Sequence, residues 1–258
     1  MKKIIILGVD GEIGSHLSKK LSNNFLILGT SKRKKSSNIF VDFSDKKSIE
    51  NFINRIDSDI YGIINCYGIQ KPIKDFVKSD FNEWEKNITI NFQNYAFFLH
   101  KVLNSNFEAL KKIISFSGGG VTGPRKSFSA YAVSKISIYK LSEILSEELR
   151  DFDIDINVVA PGIIKSKMTE EVFKEGKNLG DEYNLASNTL SNGGDSKDKV
   201  FELCNFLLSK DSDSISGKLI AAQWDNFEHY KSILKSDSNL FSLRRIDEKF
   251  FTEIKDII

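Results

Sequence analysis

The chain has 258 residues, 40% hydrophobic and 28% charged, which is enough to bury the core of one sizeable α/β domain. A formal net charge of +2 argues against nucleic acid or an anionic membrane as partner, despite the basic run Lys32-Arg33-Lys34-Lys35. Cys66 and Cys204 lie far apart beside apolar residues, and His16, His100 and His229 are scattered, so free buried thiols and no metal site are expected. The short apolar run 4–7 stops at Gly8 and is followed by Asp10 and Glu12, which leaves no signal-peptide core. No stretch of about 18 apolar residues offers a membrane span. A soluble cytoplasmic protein is expected.

In chain order, apolar runs alternate with helical patterns. Residues 3–7 read as a strand, 12–22 as a helix, 25–29 as a strand, 39–41 as a short strand and 46–55 as a helix. Strand 60–65, one long helix 82–105, strand 111–117, a second long helix 128–149 and strand 154–160 follow. Residues 168–195 are polar and glycine-bearing and read as irregular. Helix 199–208 and strand 217–222 close the series. Strand followed by helix, repeated, predicts a single-domain, doubly wound parallel sheet with right-handed crossovers and helices on both faces. Continuous apolar strands rich in Ile fit burial on both faces. The domain is expected to span 1–225. The extension 226–258 carries Phe227, Phe241, Phe250 and Phe251, which must pack on the domain or on a partner subunit.

Chemistry concentrates after the strand 111–117. Tyr131 and Lys135 are four apart on a helix and so share a face. A phenol beside a cation gives up its proton more readily, which suits acid/base work near neutral pH. Ser117 places a hydroxyl where the strand opens into Gly118-Gly119-Gly120. At the first strand–helix junction, Gly8-Val9-Asp10-Gly11-Glu12-Ile13-Gly14 allows a tight turn whose backbone N–H groups and helix N-terminus can approach a diphosphate. The second strand ends in Thr30-Ser31-Lys32-Arg33. No acid stands there to bind ribose hydroxyls, and Ser31, Lys32 and Arg33 suit a 2′-phosphate, which favours NADP(H) over NAD(H). Asp42, followed by Phe43, either meets the adenine edge or caps the next turn.

Taken together, Gly8-x-x-Gly11-x-x-Gly14, Asn65-x-x-Gly68, Asn91, Ser117, Tyr131-x-x-x-Lys135 and Pro161-Gly162 resemble the short-chain dehydrogenase/reductase family in order and approximate spacing, over residues 3–224. The resemblance implies that Tyr131 is the general acid/base and that Lys135 lowers its pKa and holds the nicotinamide ribose. It implies further that Ser117 orients the substrate carbonyl, that Asn91 positions a water in a proton relay and that 168–195 is the substrate lid. Gly8, Gly11, Glu12, Ile13, Gly14, Ser31, Lys32, Arg33, Asp42, Phe43, Asn65 and Gly68 would line the adenosine and diphosphate side, with Tyr131, Lys135, Pro161, Gly162, Ile164 and Ser166 toward the nicotinamide.

Some residues depart from the family pattern. The Gly-x-x-Gly-x-x-Gly spacing is commoner in the longer sugar-nucleotide epimerases and dehydratases, whose extra substrate domain has no room here. Tyr67 replaces a small residue. Ser117 lies one residue farther from Tyr131 than usual, which puts Gly118 in the alternative register; Ser117 is favoured because it has the hydroxyl.

The reaction implied is hydride transfer between a nicotinamide cofactor and a small-molecule carbonyl or alcohol, in a homodimer or homotetramer. Two other readings are a nucleotide-sugar epimerase or dehydratase and a non-catalytic dinucleotide sensor. The triple glycine, Pro124-Arg125-Lys126 and Trp224-Asp225 resemble reductase-like proteins of surface-polysaccharide biosynthesis. By that reading the glycines leave room for a bulky ring beside Ser117, and Arg125 and Lys126 either meet a substrate phosphate or stand solvated on a loop tip.

Overall fold

The computed structural model describes residues 1–33, 38–56, 59–105, 108–229, 232 and 239–245. Seven strands form one parallel sheet: β1 (Lys2–Leu7), β2 (Phe25–Ser31), β3 (Ile39–Phe40), β4 (Ile60–Asn65), β5 (Lys112–Phe116), β6 (Asp155–Ala160) and β7 (Leu219–Ala221). Their order is β3-β2-β1-β4-β5-β6-β7, so the direction of winding reverses between β1 and β4. In such sheets the crevice outside the carboxyl ends of the strands at that point is the ligand site.

The apolar runs explain the layers. Successive side chains of a strand face opposite sides, so Ile4 and Ile6 pack with α1 (Glu12–Leu21) and α8 (Lys197–Leu207), while Ile5 and Leu7 pack with α2 (Lys46–Ile53), α4 (Asn94–Leu103) and α5 (Ser129–Glu148). Each fully buried Ile or Leu contributes about 1.5–3 kcal/mol, which is why both faces of β1 must be covered.

Two expectations are corrected. The long helix 82–105 is α3 (Phe81–Ile88) and α4 joined by a π-helical segment, Thr89–Gln93. Apolar periodicity carries through such a bulge, so sequence pattern does not reveal it. The segment 168–195 is not irregular but forms α6 (Lys167–Glu175) and α7 (Asp181–Asn192). Their buried stripe is short, with Thr169 and Val172 on α6 and Ala186 and Thr189 on α7. Two of those four are threonines, so the stripe is too polar to stand out as a helical pattern.

The extension folds back on its own subunit where it is described. Phe227 packs against Phe206 with ring centroids 5.4 Å apart, and the carbonyl of Phe241 accepts from Leu219 N at 2.8 Å on the free edge of β7. Leu243 N donates to the Tyr139 hydroxyl at 3.0 Å, and Arg244 pairs with Glu143 on α5. Phe250 and Phe251 lie outside the described residues. No helix among the described residues is long and apolar enough to cross a membrane, and no cluster of metal-ligating side chains occurs among them. Cys66 and Cys204 are free thiols, both pushed up by burial.

Candidate active site

The carboxyl ends of β4, β5 and β6 open onto a cavity of about 450 Å³. Ile13, Cys66, Gly68, Ser117, Gly118, Tyr131, Lys135, Pro161, Gly162, Ile164 and Ser166 are among the residues that line it, which brings together groups from the whole length of the chain.

In the glycine turn after β1, Gly8 has φ +82°, and a Cβ on Gly14 would overlap the Gly8 carbonyl. The turn therefore closes only with hydrogen at both positions. The α1 N-cap is Gly11, which makes no side-chain cap, so the first-turn N–H groups lie open toward an anion. This cradle fits a dinucleotide diphosphate. Glu12 is turned aside, held by Lys197 at 3.1 Å.

The end of β2 differs from the sequence reading. An acid does stand there, delivered by the glycine turn: Asp10 accepts from the Ser31 hydroxyl and lies 3.9 Å from Arg33. Lys32 lies 3.3 Å from Asp42. Asp42 accepts from both the backbone N and the hydroxyl of Ser44, so it caps the turn, and Ser44 and Lys32 hold its carboxyl below the ordinary value against the opposing effect of burial. Phe43 stacks on Tyr67 at 4.5 Å, and Tyr67 donates to the Ile90 carbonyl. The bulky ring that departs from the family pattern is thereby braced against the helix layer while it still lines the cavity.

The centre of the cleft is a buried polar network. Asn91 sits on the π-helical segment, and its carboxamide donates to Ile69 O at 2.7 Å, Asn87 Oδ1 at 2.9 Å and Ser134 Oγ at 3.0 Å, and accepts from Ile69 N at 2.8 Å. Asn87 also donates to the Ile69 and Lys71 carbonyls. The pair Asn87-x-x-x-Asn91 ties the loop after β4 to α3 and α5. Asn87 was missed in the sequence, although the four-residue spacing places both amides on one helix face. Asn65 accepts from Tyr67 N at 3.2 Å, and Gly68 leaves its space to Asn91 and Lys135.

Tyr131 and Lys135 do share a face of α5, with Nζ 5.7 Å from the Tyr131 ring centroid. Lys135 donates to the Phe116 carbonyl at 3.0 Å, and burial brings its pKa down to about 8. Burial raises the Tyr131 phenol above the ordinary tyrosine value, and the cation that draws it back is Arg125 rather than Lys135. Ser117 lines the cavity with its hydroxyl, which has no hydrogen-bond partner among the described residues.

The triple glycine has a use other than room for a bulky substrate ring. A Cβ on Gly118 would collide with the Tyr131 ring and hydroxyl, and one on Gly119 would press on the Arg125 side chain. Those spaces are therefore already occupied by protein. Arg125 is not solvated on a loop tip: it forms a two-pronged pair with Glu182 on α7, at 2.9 and 2.6 Å, and lies 3.6 Å over the Phe128 ring. Lys126 is exposed.

After β6, Pro161, Gly162, Ile164 and Ser166 line the cavity. Gly162, at φ +84°, leaves room for Asp195, whose carboxylate accepts from Ile163 N at 2.6 Å. Ser166 is the α6 N-cap residue, 3.4 Å from the Thr169 hydroxyl. Gln70, also missed in the sequence, joins the loop after β4 to the lid by donating to Met168 O.

Residues 20–223 match a family model described as enoyl-(acyl carrier protein) reductase. The chain is 26% identical over 236 residues to the 3-oxoacyl-(acyl-carrier-protein) reductase FabG of Haemophilus influenzae, across 84% of this chain and 94% of that protein. It is 29% identical over 138 residues to the human mitochondrial dehydrogenase/reductase SDR family member 2, a match that covers 54% of this chain and 48% of the human protein. In fold it is similar to ElxO with NADP bound, at TM-score 0.71 and 20% identity over 86% of this chain and 97% of that one. The chain belongs to the short-chain dehydrogenase/reductase family and is an oxidoreductase of the NAD(P)-using type.

Proposed function

We propose that the protein interconverts a carbonyl and an alcohol, with Tyr131 as the proton-transfer group. The observation that carries this is the position of the Tyr131 phenol and the Lys135 ammonium on one face of α5, in one cavity with Ser117 and with Ile13 of the glycine turn. The nicotinamide cofactor supplies the hydride. In reduction, the Tyr131 hydroxyl donates its proton to the carbonyl oxygen as negative charge develops there; in oxidation the phenolate takes it back. The Ser117 hydroxyl orients that oxygen. Lys135 would hold a ribose hydroxyl of the cofactor, and the backbone at 161–166 would position its nicotinamide ring. Asn91 keeps the loop after β4 in place by its four hydrogen bonds. Tyr131→Phe should keep its fold and dinucleotide affinity and lose turnover by about 10²–10⁴-fold; near-normal turnover rejects the assignment.

For the finer points, NADP(H) is the cofactor we favour, because Lys32 and Arg33 flank Ser31 at the end of β2. Asp10 opposes that preference, since a 2′-phosphate must displace it from Ser31 and Arg33. Lys32→Ala with Arg33→Ala should therefore weaken NADPH binding about tenfold more than NADH binding, and Asp10→Asn should strengthen NADPH selectively. Equal affinities for the two cofactors in the native chain and in these variants would refute the preference. With Arg125 paired to Glu182, the substrate class supported is a neutral carbonyl compound, including an unphosphorylated sugar derivative, rather than a phosphorylated one. Exposed Val133 and Ile144 on α5 support assembly as a homodimer or homotetramer, which the mass in solution tests.

A further inference from the structure

The Arg125–Glu182 pair is not accounted for by the reaction above, yet it sits beside the group that transfers the proton. Adjacent glycines bring this about: the space a Gly118 Cβ would take is filled by the Tyr131 ring and hydroxyl, and the space beside Gly119 by the Arg125 side chain through to its guanidinium. The Phe128 ring lies under the guanidinium, and the two prongs to Glu182 fix its plane. Side-chain exposures of 19% and 25% keep the pair from being merely a surface contact. Both residues line the same cavity as Tyr131.

We propose that Arg125 and Glu182 are positioning residues that set the proton affinity of Tyr131, the guanidinium favouring the phenolate and the lid carboxylate restraining that effect. This rests on the reading of Tyr131 as the acid/base. The remaining ionisable groups that line the cavity are Cys66 and Tyr67 after β4 and Lys135 on α5. Cys66 and Tyr67 are both pushed well up by burial and stay neutral. Lys135, an ammonium at neutral pH, is brought down to about 8 by burial and so is neutral where a phenol raised by burial titrates, whereas a guanidinium keeps its charge. Arg125 is thus the permanent cation of the cavity, and Glu182 ties its strength to α7. An approach of α7 that tightens the pair weakens the pull on the phenol, and a retreat strengthens it.

The opposite charges of the two residues give a test that a purely structural role does not satisfy. The full chain is prepared with tyrosine labelled with ¹³C at Cζ, and the Tyr131 signal is identified by its loss in Tyr131→Phe. Its titration is then followed in the native protein and in variants. Arg125→Gln should shift the titration up by about one pH unit, and Glu182→Gln should shift it down. Arg125→Lys should stay near the native value. Shifts of the same sign in Arg125→Gln and Glu182→Gln, or no shift in either, would overturn the proposal. Should Arg125→Gln fail to fold, Glu182→Gln decides alone: a downward shift supports the pair and any other result rejects it. Turnover in Tyr131→Phe is read separately, so failure of the acid/base assignment is distinguishable from failure of the tuning pair.

Discussion

The two walls of the cleft are built on different principles. One wall is the polar network of Asn87, Asn91, Ser134 and Lys135, all buried and bonded to one another or to backbone at the ends of β4 and β5. The other is the lid, α6 and α7, held by Gln70 to Met168 O, by Arg125 to Glu182, and by a small apolar cluster of Ile73, Phe128, Tyr131, Val172 and Ala186. A buried network that is fully satisfied admits one geometry, because any displacement strands a polar group without water. A wall that rests on a few contacts can shift at little cost. Lys135 thus stands on the rigid side, and Tyr131, which packs with Phe128, Val172 and Ala186, stands between the two walls.

Deleting one member of each wall should sharpen this contrast. Asn91→Ala strands the N–H of Ile69 and Oδ1 of Asn87 and leaves the Ile69 carbonyl to Asn87 alone, so a loss of about 4 kcal/mol in stability is expected by denaturant titration. A loss below about 1 kcal/mol would show that the network is not what holds that wall.

The next effect concerns Lys135 and has a definite sign with pH. Its folded pKa, about 8, lies below the unfolded value near 10.5. Between those values the unfolded chain binds more protons, so the Lys135 contribution to stability improves as pH rises from 8 to 10.5 and is least favourable below 8. Lys135→Met should therefore gain up to about 3 kcal/mol at neutral pH, less the lost bond to Phe116, and the gain should vanish toward pH 10.5. A stability difference between the two proteins that does not vary with pH would contradict this.

The smallest effect belongs to the lid. Gln70→Ala should cost about 1–2 kcal/mol and should raise KM for the substrate without changing dinucleotide affinity. A change in dinucleotide affinity instead would place Gln70 with the rigid wall.

The parallel sheet was legible from the chain because its strands are short, continuous apolar runs separated by helical patterns, a signal carried by neighbouring residues alone. Tyr131, Lys135 and the glycine turn were legible for the same reason, since each motif lies within one element or one junction. The π-helical step at Asn91 was not, because the apolar rhythm continues through it, and the lid helices were not, because their buried stripe is brief and partly threonine. Nothing local marks Asp10 as a neighbour of Ser31, or Glu182 as the partner of Arg125. Those pairs are separated by 21 and 57 residues, and only the packing of separate elements brings them together. The sequence by itself determined the sheet, the helix that carries Tyr131 and the glycine turn after β1, because backbone preference and hydrophobic period act over a few residues. The tertiary structure alone decided which charges face Tyr131 and the end of β2, because electrostatic partners are chosen by distance in space.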